Sequence, residues 1–107
     1  MRPYELRVYT LSSKEALDFY MNQVYPRHLS SFPRFGIEPH GIWTVKEGVK
    51  PRACVLVSYA AGADPVAVVR RYMQSPEFAE EIEGWDPSNI VSVESTYLEP
   101  TTSSRLS

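Results

Sequence analysis

The sequence lacks the features that mark several common functional classes. It has one cysteine, Cys54, so it has no partner for an intrachain disulfide, and no apolar run approaches the ~20 residues of a membrane-spanning helix. Lysine and arginine total 11 against 13 acidic residues, and the basic residues are scattered, which argues against nucleic acid as a partner. The N-terminus shows no basic and then apolar secretion signal. We therefore expect a cytoplasmic protein that binds neither nucleic acid nor a membrane.

Recognisable cofactor motifs are also missing. We find no glycine-rich phosphate loop, no nucleophilic serine elbow and no dinucleotide-binding fingerprint. The two histidines, His28 and His40, and the single Cys54 do not have the spacing of a standard metal site. Cys54 lies in an apolar run and is expected to be a packing residue. The sequence therefore predicts neither a cofactor nor a metal ion.

What the sequence does contain is a regular succession of strand and helix patterns. Strand-like patterns cover residues 3–11, 37–46, 52–60 and 90–99, and helical patterns cover residues 14–32 and 65–82. This β-α-β-β-α-β order predicts a ferredoxin-like α+β fold. We assign residues 1–100 to this domain. Residues 101–107 are rich in serine and threonine, and we expect them to form a disordered C-terminal tail.

Short local signals place the helix boundaries and one sheet edge. Ser12, followed three residues later by Glu15, predicts a capped helix start. Pro26 predicts a kink or a new short helix within the same segment, because proline removes an amide donor. Pro39 and Gly41 are poorly tolerated in a central strand, so the second strand is expected at a sheet edge.

The two faces of the sheet are expected to differ, because right-handed crossovers place both helices on the same face. From the alternation of the first strand, we expect Glu5, Arg7 and Tyr9 on the face without helices. Residues 52–60 are apolar on both faces, which is typical of a central strand that is covered on both sides. A second copy of the chain would cover the bare face, and we therefore expect a homodimer.

Four motifs, in the right order, resemble those of NIPSNAP-domain proteins. They are the opening strand YELRVYTL at residues 4–11, Gly41-Ile42-Trp43, Ser75-Pro76-Glu77-Phe78 and the C-terminal Leu98-Glu99-Pro100-Thr101. The resemblance implies a dimeric α+β barrel in which two sheets face each other and the helices lie outside. It implies no single reaction, because the wider superfamily includes cofactor-free monooxygenases, isomerases, polyketide cyclases and haem-degrading enzymes. Phe78 replaces a usual tryptophan and Val57 a frequent aromatic residue, which indicates a differently shaped pocket.

Polar residues of the first and second strands are the main candidates for catalysis. Arg7 and Tyr9 can stabilise an oxyanion, and Glu5 projects from the same strand face. The alternative is that Glu5 and Arg7 pair with each other, or with Glu94, and only fix the dimer. His40, beside a glycine on an edge strand, is our candidate general base because histidine titrates near neutrality.

The expected substrate-binding residues complete the predicted site. They are Glu5, His28, Trp43 and Tyr59. His28 follows the apolar stripe of the first helix and should point towards the sheet, where a purely structural role in the core competes with ligand binding. Tyr59, at the end of the third strand, is the tyrosine that we expect to face a ligand, whereas Tyr20, Tyr25 and Tyr72 are expected to pack helices.

Together these residues favour a cofactor-independent enzyme of cyclase, isomerase or monooxygenase type. Its substrate would be a polyketide-like or aromatic compound bound between the sheet and the helices. The alternative is a non-catalytic interaction or ligand-carrying module. An enzyme should enclose an apolar cavity of roughly 300 Å³ or more with two or three convergent polar groups, whereas a structural module should fill that space with its own side chains.

Overall fold

The computed structural model describes residues 1–107, which form a four-stranded antiparallel sheet with helices packed on one face. The strands are β1 (Tyr4–Leu11), β2 (Ile37–Thr44), β3 (Arg52–Tyr59) and β4 (Ile90–Leu98). The helices are α1 (Lys14–Phe19), α2 (Tyr25–Leu29), α3 (Pro65–Met73) and α4 (Pro76–Glu81), with a π-helical turn at Tyr20–Val24 and 3₁₀ turns at Phe32–Phe35 and Pro87–Asn89. The sheet order is β2-β3-β1-β4, and the predicted ferredoxin-like α+β class is confirmed.

The N-cap of the first helical segment lies one residue later than predicted. Ser13, not Ser12, is the N-cap, and its hydroxyl oxygen accepts a hydrogen bond from the Ala16 amide at 3.0 Å. The Ser12 hydroxyl instead donates to Asn89 Oδ1 at 2.7 Å and joins the helix start to the turn before β4. Pro26 lies in the first turn of α2, a short helix that directly follows the π-helical turn, and this agrees with the predicted new short helix.

β2 forms a sheet edge, as Pro39 and Gly41 predict, and β3 lies inside the sheet between β2 and β1. The β2–β3 register shifts between Pro39 and Gly41, which leaves His40 as an extra residue in a bulge. The indole of Trp43 lies across Gly41, and a Cβ at Gly41 would stand only 2.6 Å from the Trp43 ring. Glycine at this position therefore lets Trp43 lie flat on the sheet.

The sheet face that packs against the helices is the opposite of the predicted one. In the cross-strand register, Glu5 pairs with Val57 and Arg7 with Val55, and these valines belong to the core under the helices. The expectation that Glu5, Arg7 and Tyr9 lie on the bare face is therefore wrong. Alternation separates two faces of a strand but does not identify the covered one, and both faces of β1 carry large side chains.

The core lies between this sheet face and the helices, and it is rich in tyrosine. Its 14 buried members include five tyrosines, which are Tyr9, Tyr20, Tyr25, Tyr59 and Tyr72. A buried tyrosine combines an apolar ring with a hydroxyl that needs a hydrogen-bond partner. The core therefore carries polar atoms on its inner surface as well as apolar area.

None of the helices has both the length and the apolar character needed to cross a membrane.

Residues 101–107 form no helix or strand and are exposed. Their disorder stays a prediction.

Candidate functional site

A cavity of about 520 Å³ lies between the sheet and the helices. Nineteen of its 24 lining residues are hydrophobic, and β3, β4, α3 and α4 all contribute to the wall. Small-molecule sites usually span about 300–1,000 Å³ and combine an apolar wall with a few polar groups. The side chains of the protein therefore leave room for a small molecule at the place where the sequence predicted a binding cleft.

Arg7 is the charged group on the sheet side of this cavity. Its Nε donates to Glu5 Oε2 at 2.8 Å and its Nη1 donates to the Tyr9 hydroxyl at 2.9 Å. The hydroxyl of Tyr59 donates to the other carboxylate oxygen of Glu5. Residues two apart on a strand share a face, which is why Glu5, Arg7 and Tyr9 meet. Nη2 of Arg7 makes no hydrogen bond within the protein and is available to a ligand oxygen.

These contacts fix the charge of each group. Burial alone would raise the pKa of Glu5, but the hydrogen bonds from Tyr59 and Arg7 outweigh it and lower that pKa. Burial acts to lower the pKa of Arg7, while Tyr9 and Glu5 reverse the effect and raise it. Burial, and then the bond to Glu5, raise the pKa of Tyr59. At neutral pH the cavity therefore contains an ionised Glu5–Arg7 pair and a neutral Tyr59.

Two further tyrosines approach this pair from the helical side. The ring centroids of Tyr9 and Tyr20 are 5.5 Å apart, and those of Tyr20 and Tyr25 are 6.2 Å apart. Tyr25 is only 5% exposed, and its hydroxyl is buried without a hydrogen-bond partner. Burial raises the pKa of Tyr25 to about 12, so this hydroxyl is protonated at neutral pH. An unpaired buried hydroxyl costs about 1–3 kcal/mol, and an oxygen of a bound ligand would remove that cost.

A second polar cluster joins three helices at the wall of the cavity. His28 Nδ1 lies 2.8 Å from Glu81 Oε1, and the Ser31 hydroxyl donates to Glu81 Oε2 at 2.6 Å. The Tyr72 hydroxyl also donates to Glu81 and lies 2.6 Å from His28 Nδ1. Each oxygen of this buried carboxylate is therefore hydrogen-bonded.

The surroundings of His28 determine its protonation. Burial lowers the pKa of His28, although the hydrogen bond and charge of Glu81 oppose that effect. Burial would raise the pKa of Glu81, but its bonds from His28, Ser31 and Tyr72 lower it overall. At neutral pH a neutral His28 therefore faces an ionised Glu81. A carboxylate can only accept hydrogen bonds, so the contact with Glu81 favours the tautomer with the proton on Nδ1 and the lone pair on Nε2.

Five of the seven predicted site residues line the cavity, which are Glu5, Arg7, Tyr9, His28 and Tyr59. His40 and Trp43 do not. His40 Nε2 lies 2.8 Å from Ser58 Oγ on the open face of the sheet, and Trp43 is 52% exposed on that face. The predicted combination of His40 with Arg7 and Tyr9 is therefore not what the fold assembles, because the sheet lies between them.

Three residues of the site have functional features that the sequence did not predict. Tyr25 and Tyr72 line the cavity, and Glu81 lies behind its wall, where it binds His28 and Tyr72. Tyr20, Val24 and His28 lie at helical spacing on one inward-facing side, which indicates that polar side-chain atoms reach the interior from this segment. No pattern in α4 indicates that Glu81 is buried. No group of three or more histidine, cysteine or acidic side chains is placed to hold a metal ion.

The sheet order and the cavity define the class of this protein. It is a ferredoxin-like α+β domain with one helix-covered and one open sheet face, and an apolar cavity that contains Arg7. The family model for NIPSNAP proteins matches residues 4–105, and the chain belongs to the NIPSNAP family. The resemblance inferred from four sequence motifs is confirmed.

Solved structures share the fold. A NIPSNAP family protein of unknown function from Agrobacterium tumefaciens aligns with a TM-score of 0.78 at 19% identity, covering 99% of this chain and 94% of that one. An uncharacterised NIPSNAP domain protein from Burkholderia xenovorans aligns with a TM-score of 0.70 at 17% identity, covering 95% and 97%. A dimeric ferredoxin-like protein from an uncultured marine organism aligns with a TM-score of 0.58 at 9% identity, covering 96% and 93%. No curated protein matches the chain in sequence.

Proposed function

We propose that this chain forms a homodimer, binds a polyketide-like or aromatic molecule in its cavity, and catalyses a cofactor-independent reaction of cyclase, isomerase or monooxygenase type. The observation that carries the proposal is Arg7, a guanidinium with a free Nη2 in the wall of a largely apolar cavity. A charged donor in such an environment stabilises an oxyanion more strongly than the same donor does in water.

The first chemical step of such a reaction is proton removal next to a carbonyl group. The C–H bond breaks, the proton passes to a basic side chain of the protein, the electron pair forms the enolate, and the negative charge develops on the carbonyl oxygen. Arg7 stabilises this oxygen, while Tyr9 and Glu5 hold the guanidinium in place through Nη1 and Nε. The unpaired hydroxyl of Tyr25 is a further donor for a ligand oxygen.

The homodimer is supported by the face of the sheet that carries no helices. Leu6, Val8 and Leu56 are only partly buried there, and Trp43 is more than half exposed. Pairing of two such faces would remove this apolar area from water. The dimeric ferredoxin-like protein from an uncultured marine organism gives a precedent for a dimer with this fold.

A ligand-carrying module without catalysis is the second candidate. It is favoured by the pairing of Arg7 with Glu5, because an arginine that is already held by a carboxylate and a tyrosine hydroxyl can serve binding alone. The two candidates share the cavity and the ligand class. They differ in whether the bound molecule exchanges a proton with the protein.

Benzoylacetone, an aromatic 1,3-diketone, separates these candidates. Its binding is followed by tryptophan fluorescence, and the exchange of its central hydrogens for deuterium is followed by NMR. We expect the wild-type protein to bind it and to accelerate exchange over buffer. Loss of one oxyanion donor typically lowers a rate about 10²–10³-fold, so R7K should lose most of the acceleration, whereas H40Q on the open face should keep it. Binding without acceleration supports the carrier, and absence of binding contradicts both candidates.

A further inference from the structure

Aromatic rings and a carboxylate hold His28 in one orientation. Its ring stacks with those of Phe32 and Phe78, with centroid distances of 5.9 and 5.6 Å and interplanar angles of 22° and 9°. Its Nδ1 is fixed by Glu81 at 2.8 Å, and Ser31 in turn holds the second oxygen of Glu81. The imidazole therefore has little freedom to rotate or to flip.

The remaining nitrogen of His28 is free. Nε2 makes no hydrogen bond within the protein, and the residue lines the cavity that contains Arg7. An imidazole that donates from Nδ1 to a carboxylate has its lone pair on Nε2 and gains stabilisation when it becomes positively charged. This arrangement is the one that a general base needs.

We propose that His28 is the catalytic base of this cavity and that Glu81 and Ser31 are its positioning residues. This inference rests on the proposed function for the nature of the substrate. Nε2 forms a bond to a proton of the bound molecule, and the electron pair of the broken bond stays on that molecule as an enolate or phenolate. Its oxygen binds Arg7, and the imidazolium faces the carboxylate of Glu81. Return of the proton to another atom of the same molecule completes an isomerisation or cyclisation without any oxidant.

The cluster also connects the cavity to the outer surface. Glu81 and Ser31 line a second, polar groove together with Arg27, Arg34 and Glu77. A proton taken up by His28 can therefore pass to solvent through the Glu81 side of the wall, without crossing the apolar cavity. Such a route would serve reactions in which the proton is not returned to the product.

The competing explanation is structural, because the same contacts tie α2 to α3 and α4. Substitution of His28 alone does not separate the two explanations if the variant unfolds. The reactivity of His28 in the wild-type protein does separate them. A free, unprotonated Nε2 that faces a cavity attacks a small electrophile, whereas a histidine sealed in the core does not.

Diethylpyrocarbonate, which acylates unprotonated histidine nitrogens, is the probe for this reactivity. Peptide mass spectrometry after brief treatment distinguishes His28 from His40, the only other histidine in the chain. We expect His28 to be modified despite its 5% exposure, and 4-nitrophenol bound in the cavity should protect His28 but not His40. E81Q, which removes the carboxylate behind the ring, should slow the modification of His28 only. An unmodified His28 beside a modified His40 overturns the inference.

Two further readouts keep this inference separate from the proposed function. Nitrogen-15 NMR of the wild-type protein at neutral pH should show the proton on Nδ1 of His28, and a proton on Nε2 overturns the inference whatever binds. In the benzoylacetone assay, H28Q should lower the rate of exchange about 10²-fold or more while binding persists. Equal exchange in wild type and H28Q overturns the role of His28 but leaves the proposed function intact. A reactive His28 without benzoylacetone binding supports the base and contradicts the proposed ligand class.

Discussion

The carboxylate of Glu5, which is 1% exposed, forms an ion pair with Arg7 at 2.8 Å inside an apolar cavity. Removing two charges from water costs several kcal/mol per ion, and well-packed apolar residues at such positions are often equally or more stabilising. The pair is therefore poorly explained by stability alone. This supports the proposal that the pair serves to bind a ligand.

Replacement of Arg7 by an uncharged residue should destabilise the protein strongly. R7Q leaves the Glu5 carboxylate buried without its cation, and breaking a buried pair in this way typically costs about 3–5 kcal/mol. Urea unfolding followed by circular dichroism measures the change. The double variant E5Q,R7Q should recover much of the loss, because it removes the unpaired charge. A double variant less stable than R7Q would contradict the assignment of the penalty to Glu5.

Stability should fall as the pH falls below neutrality. The pKa values of His28, Glu5 and Glu81 are lowered in the folded protein, so the unfolded chain binds more protons as the pH falls. For His28 the loss begins near its ordinary value of 6.5, and for the two glutamates near 4.5. Urea unfolding at about pH 7 and about pH 5 tests this dependence.

Variants of the two histidines identify which groups cause this change of unfolding free energy with pH. Burial, and then the charge of Arg2, also lower the pKa of His40, so H28Q and H40Q should each remove part of the slope. The free energy of unfolding of the double variant H28Q,H40Q should be nearly independent of pH above the range in which the carboxylates titrate. A wild-type protein that is more stable at the lower pH would contradict the account.

The order and positions of the strands and helices could be predicted because they depend on patterns within short segments of the sequence. Alternation in β1 and β4, and the edge signals of Pro39 and Gly41 in β2, are properties of short segments. The side of the sheet that the helices cover is not a local property. Tyr4, Leu6 and Val8 look more like a core stripe than Glu5 and Arg7 do, but the polar stripe belongs to the cavity.

The candidate site could be predicted only in part, for a related reason. Five residues that the sequence predicts for the site line the cavity, which are Glu5, Arg7, Tyr9, His28 and Tyr59. The position of His40 depends on the bulge in β2, which no periodic pattern marks. Glu81 gives no signal either, because an acidic residue near the end of a polar helix normally faces solvent.

Four tyrosines should resist ionisation in the folded protein. Burial raises the pKa of Tyr25 to about 12 and also raises the pKa values of Tyr20, Tyr59 and Tyr72. Stability should therefore decrease as the pH rises above 10, the ordinary value, because the unfolded chain releases these protons more readily. Ultraviolet titration of phenolate should show a late rise that coincides with unfolding. Ionisation of all seven tyrosines near the ordinary value, with the fold intact, would contradict the burial of these hydroxyls.

A charge placed on the open sheet face should dissociate the proposed dimer. Leu56 lies on this face beside Leu6 in the neighbouring strand, so L56D would bury two carboxylates against the partner copy. Native mass spectrometry should show a wild-type dimer and a folded L56D monomer. V49D, in the fully exposed loop between β2 and β3, is the matched control and should remain dimeric. A monomeric wild-type protein would contradict the homodimer.

Binding of 4-nitrophenol tests most directly whether the cavity stabilises an oxyanion through Arg7. The phenol ionises near neutrality, and its yellow phenolate reports its pKa when the ligand is saturated with protein. A nearby opposite charge lowers the pKa of an acid by about 1–3 units. We predict that the wild-type protein lowers the pKa of the bound phenol by about one unit or more, that E5Q,R7Q abolishes this shift, and that H40Q preserves it. A bound phenol whose pKa is unchanged or raised, or a shift that persists without Arg7, would contradict the account.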